Sequence, residues 1–414
     1  MYWSPSTIVP RIANSMTINR FDEIKRFLHF NDNALLPNRE SPHYDKLYKA
    51  RPLLDYIRKV CLSLRNTEHQ AIDEQMIPTK SRNPVRQYLP NKPSKWGIKV
   101  WARCGVNGLL FDFEIYTGKA NAHHSAFGIG GDVVLKLCNT LPTSATNYKL
   151  YFDNYFSSIP LLIQLRQLNL WTVCTIRKNR TKGCDKFLEK ETALKKRGRG
   201  SIDWRVEENS NVLVLRWMDS GVVQLASNYL NADLGEQCDR YNAEKKERVK
   251  VDCPKIVQVY NKHMGGVDLH DMLVSLYRVT LKTRKWYLHL FFYTLNVMVV
   301  NAWILHRDQE KRLKTSKKKR YTVLKFVTEV ADCFLSVGKT VSQNKRKRSF
   351  TPVEDIRHDG IGHWPIYLSN QQKCRLCMDL RKEKVGRTMV KCSKCDVNLC
   401  LTHDRNCFYD YHIN

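Results

Sequence analysis

YNKHMGGVDLHDM, residues 260–272, sets two glycines ahead of two aspartates and an apolar segment that reads as a helix. Asp268 and Asp271 stand at i and i+3, which is one face of such a helix. Carboxylates so placed repel unless a cation sits beside them, and the positive end of the helix dipole offsets only part of the repulsion. Taken alone, the pair also fits an N-cap aspartate with a solvated neighbour. Two further aspartates in strand-like surroundings upstream, Asp73 and Asp153, point to a shared acidic site.

Asp73 lies in the short apolar run 71–78 (AIDEQMIP). The runs 97–104 and 110–116 are joined by GVNG, whose Asn107-Gly108 predicts a hairpin turn. A helix is expected over 132–141, and a strand over 148–156 (YKLYFDNYF) ends on Asp153 and Asn154. An amphipathic helix over 159–168, opened by Pro160, and a strand over 171–176 complete an α/β sheet with helical crossovers. Ligand crevices of such sheets lie beyond the carboxyl ends of strands. If the first and fourth strands are parallel neighbours, Asp73 and Asp153 come side by side, and the Asp268 helix closes the third corner. Three or four carboxylates in one cleft suit hard cations such as Mg²⁺. Two such ions stabilise the attacking and leaving oxygens of a phosphoryl displacement. Each aspartate taken singly still reads as a cap or a salt bridge.

Ahead of the sheet, residues 1–64 read as helical, with Thr17 capping the stripe Ile18, Phe21, Ile24, Phe27 and Leu28, and Pro52 opening a second stripe. Residues 183–253, basic at Lys195, Lys196, Arg197 and Arg199, offer three short strands (202–206, 212–217, 222–226) and read as an inserted β-rich module. Residues 286–305 have the length of a membrane span. They also carry His289, Thr294, Asn296 and Asn301, which are costly in lipid, so a buried core helix ending near His306 is expected. Lys282, Arg284 and Lys285, with Trp286, form a basic and aromatic patch suited to DNA phosphates and an exposed base. A short helix is expected over 323–334, and the Lys345–Arg348 run in the following linker is a nuclear-import candidate.

Composition narrows the partners. Lys and Arg number 69 against 40 Asp and Glu, a net charge of +29, which favours a polyanion such as nucleic acid over the substrates of an ordinary cytosolic enzyme. The amino terminus lacks the charged-then-apolar pattern of a signal peptide. Of 14 cysteines, eight are scattered singly over 61–333 and six crowd into 374–407. Cys374-x₂-Cys377, Cys392-x₂-Cys395, Cys400-x₂-His403, Cys407 and His412 supply eight ligands for two tetrahedral Zn²⁺ sites in an interleaved cross-brace. That pattern assigns Cys374, Cys377, Cys400 and His403 to one ion, and Cys392, Cys395, Cys407 and His412 to the other. Metal would supply much of the folding free energy of so small a unit. His363, in the GHWP turn, reads as structural.

IDEQM (72–76), KWGIKVWARC (95–104), YFDNYFSS (151–158), NKHMGGVDLHDM (261–272), RKWYLHLFFYTLNVMVVNAW (284–303) and the Cys/His-rich tail together resemble the piggyBac transposases and their domesticated derivatives. The resemblance spans nearly all of residues 15–414. It implies an α/β, RNase H-like catalytic core with a β-rich insertion domain, helical flanks and a C-terminal cross-brace zinc domain. The corresponding segments are 1–68 (helical remainder of a dimerisation and DNA-binding region), 69–182 and 254–335 (core), 183–253 (insertion), 336–370 (basic linker) and 371–414 (zinc-binding). It further implies that Asp73, Asp153 and Asp268 are the catalytic triad and Asp271 an assisting fourth acid. These would hold Mg²⁺ or Mn²⁺ for strand cleavage and transfer at TTAA sites, in a nuclear homodimer acting on double-stranded transposon ends, away from membranes. Such proteins carry a long region ahead of the core that this chain mostly lacks. The alternative expectation is therefore a domesticated, catalytically lapsed, sequence-specific DNA-binding protein.

Overall fold

Asp73 sits on the strand around which the sheet is built, β1 (His69–Pro78). One edge of β1 takes β3 (Trp96–Gly105) antiparallel, and the other takes β5 (Lys149–Phe152) parallel. β2 (Arg86–Tyr88) and β4 (Leu110–Ile115) follow one another along the far edge of β3. β6 (Trp171–Thr175) continues the sheet parallel to β5. The β3–β4 hairpin turns where Asn107-Gly108 predicts it. Gly108 adopts φ +85°, a conformation costly for a side chain, and its N–H donates to Gly105 O at 2.9 Å. This computed structural model describes all residues except 1, 5, 91, 93, 119–124, 143–146, 243–245, 280, 337–356, 381–384 and 414. The 345–348 basic run lies outside the described residues.

Side-chain alternation along β1 and β3 feeds two cores, one on each face of the sheet. Ile72, Trp101 and Phe152 pack with α4 (Gly128–Cys138) and α5 (Ile159–Gln167) through Val134, Leu137, Leu161 and Leu165. Ala71, Ile98, Val100 and Ala102 pack the other face with α3 (Arg51–Leu62), α8 (Gly266–Leu276) and α9 (Trp286–Arg312) through Leu54, Val267 and Val297. Full burial of each such aliphatic side chain contributes about 1.5–3 kcal/mol. Ahead of α3, Thr17 caps α2 (Ile18–Phe27) by accepting from Arg20 N at 3.3 Å.

The basic segment after β6 does not leave the sheet. β7 (Ile202–Glu207), β8 (Val212–Met218) and β9 (Val222–Ser227) form a meander whose last strand pairs antiparallel with β6, so the sheet order runs β2-β3-β1-β5-β6-β9-β8-β7. A polar hairpin, β10 (Cys238–Asn242) and β11 (Glu247–Val251), and α7 (Lys255–His263) then lead back to α8.

α9 is 27 residues long and apolar enough to cross a membrane by length and composition, yet its polar groups are answered inside the protein. Asn301 accepts from Leu110 N and donates to Leu110 O, each at 3.0 Å, and locks the helix to β4. Thr294 and Asn296 donate to the carbonyls of Phe291 and Phe292. The helix runs beyond His306 to Arg312 because Glu310, buried, accepts from Tyr321 N at the start of the segment leading to α10 (Val323–Ser336).

The chain divides into two compact units, Met1–Leu335 and Ser336–Asn414. The second has its own small sheet, β12 (Pro365–Lys373) with β13 (Arg387–Cys392), and short helices at Arg375–Asp379 and Cys407–Ile413.

Candidate active site and metal clusters

β1 and β5 are the parallel neighbours that the acidic site requires. Ile72 stands opposite Phe152, the last residue of β5, so Asp73 follows on β1 and Asp153 lies just past the carboxyl end of β5. Each carboxylate is steadied by a backbone N–H just downstream: Glu74 N to Asp73 Oδ1 at 2.7 Å, and Tyr155 N to Asp153 Oδ1 at 2.8 Å.

α8 brings the other two acids onto this corner, and glycine makes the approach possible. A Cβ on Gly266 would lie 2.5 Å from Gly105 O and 3.4 Å from the Ala71 side chain, so the helix start rests directly on β3 and β1. Hydrogen bonds hold it there. Gln75 on β1 donates to Val267 O at 3.4 Å and accepts from Tyr293 OH at 2.6 Å, while buried His270 bonds Gly108 O at 2.8 Å. Asp268 and Asp271 project from the first turns of a helix so fixed.

The four acids interact electrostatically. Burial, above all, raises the Asp73 carboxyl to about 7, and the nearby charges of Asp153 and Asp268 push the same way against the Glu74 N–H and Lys92. Burial likewise raises Asp153, with Glu74 adding to the effect. It also raises Asp271, where Asp268 adds and Lys92 and Arg278 oppose. Carboxylates such as Asp73, Asp153 and Asp271, whose ionisation burial above all opposes, are oxygen donors of the kind a hard divalent cation takes. Among the described residues, however, the side chains whose ligand atoms gather within 4.8 Å of one another in groups of three or more are cysteines and histidines, not these four aspartates. Reading the sequence alone missed Glu74 and Lys92. Lys92 enters through a turn closed by Leu89 N to Lys95 O at 2.8 Å, a contact no local pattern announces.

The expected DNA patch divides. Lys282 and Arg284 are exposed. Lys285 is turned inward instead, with its ammonium donating to the carbonyls of Lys25 and Arg26 at the end of α2, so it anchors the amino-terminal helices. Trp286 is half-buried against the core and lines a cavity of about 500 Å³ with Arg39, Tyr44, Tyr48 and Lys49.

In the second unit the structure gathers two ligand groups, with a membership that corrects the expected one. Cys374, Cys377, Cys400 and Cys407 form one, and His363, Cys392, Cys395 and His412 the other; within each, the ligand atoms lie within 4.8 Å of one another. His403 belongs to neither: the tight 402–405 turn throws its side chain into solvent, fully exposed beside Asp404. Cys407, at the start of the last helix, takes its place 3.6 Å from Cys377 Sγ. His363 fills the second group because Pro365 pairs with Cys392, which delivers the preceding histidine to both thiols of that strand end. Its Nδ1 lies 3.4 Å from Cys392 Sγ and from Cys395 Sγ, and its Nε2 bonds Asp359 at 3.0 Å. This is the carboxylate–histidine arrangement that orients a metal ligand. The Nδ1 of His412 is bound to Phe408 O at 2.6 Å, and its buried Nε2 has no hydrogen-bond partner among the described residues. The groups still interleave along the chain. Thiolate and imidazole donors in fours fit Zn²⁺.

The profile of the family described as Transposase IS4 matches residues 1–303. The human PiggyBac transposable element-derived protein 3 is 31% identical over 420 aligned residues, which cover 100% of this chain and 66% of that protein. The human PiggyBac transposable element-derived protein 2 is 30% identical over 386, covering 91% and 62%. The chain thus spans about two thirds of the length of these relatives. A cryo-EM structure of the piggyBac transposase synaptic complex with hairpin DNA is similar in fold, with a TM-score of 0.67 at 21% identity over 98% of this chain and 83% of that one.

Proposed function

The chain belongs to the piggyBac family of transposases, and we propose that it is a metal-dependent DNA strand-cleaving and strand-transferring enzyme acting at TTAA sites. The reading takes β1, β3, β5 and β6 with their helices as an RNase H-like core, and the Cys/His unit as a zinc domain that grips element-end DNA. The observation that carries it is the parallel β1–β5 register, which aligns Asp73 with Asp153 at the corner where α8 supplies Asp268 and Asp271. Mg²⁺ or Mn²⁺, when bound, would supply charge stabilisation for the attacking and leaving oxygens of the phosphodiester. Asp73 provides donor oxygens on a strand and Asp153 just past the end of one, and the Glu74 and Tyr155 N–H groups hold each carboxylate in one rotamer. Exposed Lys282 and Arg284, and a net charge of +29, attract the DNA backbone in a salt-dependent, sequence-blind way. Nuclear localisation and a homodimer acting on paired transposon ends complete the proposal; the relative solved with hairpin DNA is a synaptic complex.

The test is cleavage of a duplex carrying the cognate terminal repeat and TTAA, with Mg²⁺, beside Asp153→Asn. The proposal expects repeat-dependent nicking that the variant abolishes. Repeat-specific binding with no cutting by either protein supports the catalytically lapsed alternative. Cutting indifferent to the repeat refutes both.

A further inference from the structure

A stack of rings fastens the α7–α8 junction to the sheet at the amino end of β1. His263, the last residue of α7, lies face to face on His69, the first residue of β1, with ring centroids 3.9 Å apart and planes 4° from parallel. It also stacks on Tyr151 of β5 at 5.0 Å and 27°. His69 Nδ1 is hydrogen-bonded to Tyr151 OH at 2.8 Å, and that hydroxyl lies 3.4 Å from Tyr229 OH, beyond β9. α8 begins three residues after His263, so the stack fixes the chain immediately ahead of Asp268.

The surroundings of the stack oppose a second positive ring. His263 Nδ1 is buried with no hydrogen-bond partner among the described residues, so a proton there finds no acceptor. Lys149 pairs with His69 in the β1–β5 register, and Lys262 precedes His263 on α7. Glu68, ahead of β1, acts the other way: its Oε1 lies 3.8 Å from His69 Nε2, but Lys149 also claims that carboxylate. Burial above all, then His69 and the two lysines, lowers His263 to about 4 against Glu68. Burial likewise lowers His69. The carboxyl end of a helix by itself favours an imidazolium, so the stack, not α7, keeps His263 neutral.

We infer that the His263–His69 stack is a proton-sensitive clasp that keeps α8 seated on the sheet only while both imidazoles are neutral. His263 is thus a positioning residue for Asp268 and Asp271, a role that rests on the metal-binding reading of the four acids above. When the clasp opens, each freed imidazole regains its ordinary affinity for a proton, so acid favours the open form by linkage.

The experiment compares the full chain with His263→Phe, which keeps a stacking ring that cannot be protonated, and His263→Ala, which removes the ring. Amide exchange over α8, and Mn²⁺ affinity by electron paramagnetic resonance, are followed as pH falls from 6.5 towards 4. His263→Phe should match the native chain at pH 6.5. Below it, the ratio of native to His263→Phe exchange rates should climb by about tenfold per pH unit, while native Mn²⁺ affinity drops severalfold below that of the variant. His270 and the acids titrate in both proteins and cancel from the comparison. His263→Ala should exchange faster and bind Mn²⁺ more weakly than either at pH 6.5. A ratio that does not change with pH, or changes over α7 alone, would overturn the inference and leave His263 as a packing residue. The expected ratio with equal Mn²⁺ affinities would overturn the positioning role. If the ratio climbs and no protein binds Mn²⁺, the metal reading fails and the clasp stands.

Discussion

At the scale of single residues, Asp73 has the most to say about solution behaviour. Its pKa rises from 3.8 to about 7 on folding, so between those values the folded state binds a proton that the unfolded state has released. Stability from this group is therefore full below pH 3.8, falls by about 1.4 kcal/mol per pH unit, and levels off above 7. His270 opposes this trend: burial lowers it to about 4, so its contribution is lost as pH falls from 6.5 towards 4. The difference between Asp73→Asn and the native chain isolates the aspartate. The variant's Tm should exceed the native value by a margin that grows from pH 4 to 7 without metal and shrinks when Mn²⁺ is added; a pH-independent margin would contradict the assignment. In the second unit, His363→Ala should release one zinc ion per chain in a chromogenic assay, whereas His403→Ala should release none. The reverse result would restore the ligand set expected from CxxH spacing alone.

At the scale of elements, the glycine pair ahead of Asp268 matters through one member. Alanine at Gly266 gains about 1 kcal/mol of helix propensity. A Cβ 2.5 Å from Gly105 O forces α8 off the sheet, which costs about 1–3 kcal/mol and misplaces both its acids. Gly266→Ala should lower Tm and weaken Mn²⁺ binding together, while Gly265→Ala, with nothing among the described residues within 4 Å of its Cβ, should do neither. Asn301→Leu should cost about 3 kcal/mol in urea unfolding, because it orphans the buried N–H and C=O of Leu110. The strands beside Asp73 and Asp153 were legible because apolar runs bounded by turn residues mark them. β10 and β11 were not, since CDRYN and ERVKV are short and mostly polar and pair only because the chain folds back on itself. Lys285, read as a DNA contact, shows the same limit: composition reports a charge but not the carbonyls of Lys25 and Arg26 that claim it.

At the scale of the whole molecule, the two units are stabilised by different means. Met1–Leu335 has apolar cores on both faces of its sheet, whereas the buried cluster of Ser336–Asn414 is built largely of the cysteines themselves. Chelation should therefore raise amide exchange throughout residues 365–380 and 385–413, and zinc should restore protection; protection that survives chelation would contradict a metal-built fold. Linear order announced the ligand residue types in this unit, but their partition depended on the Pro365–Cys392 pairing, a tertiary fact. The central claim is that Asp73, Asp153, Asp268 and Asp271 form one divalent-metal site on the main sheet. Anomalous diffraction from crystals of the full chain soaked in Mn²⁺ tests it most directly. Manganese peaks should appear beside Asp73, Asp153, Asp268 and Asp271 and be lost in Asp73→Asn. Peaks confined to other residues, or unchanged in the variant, would contradict it.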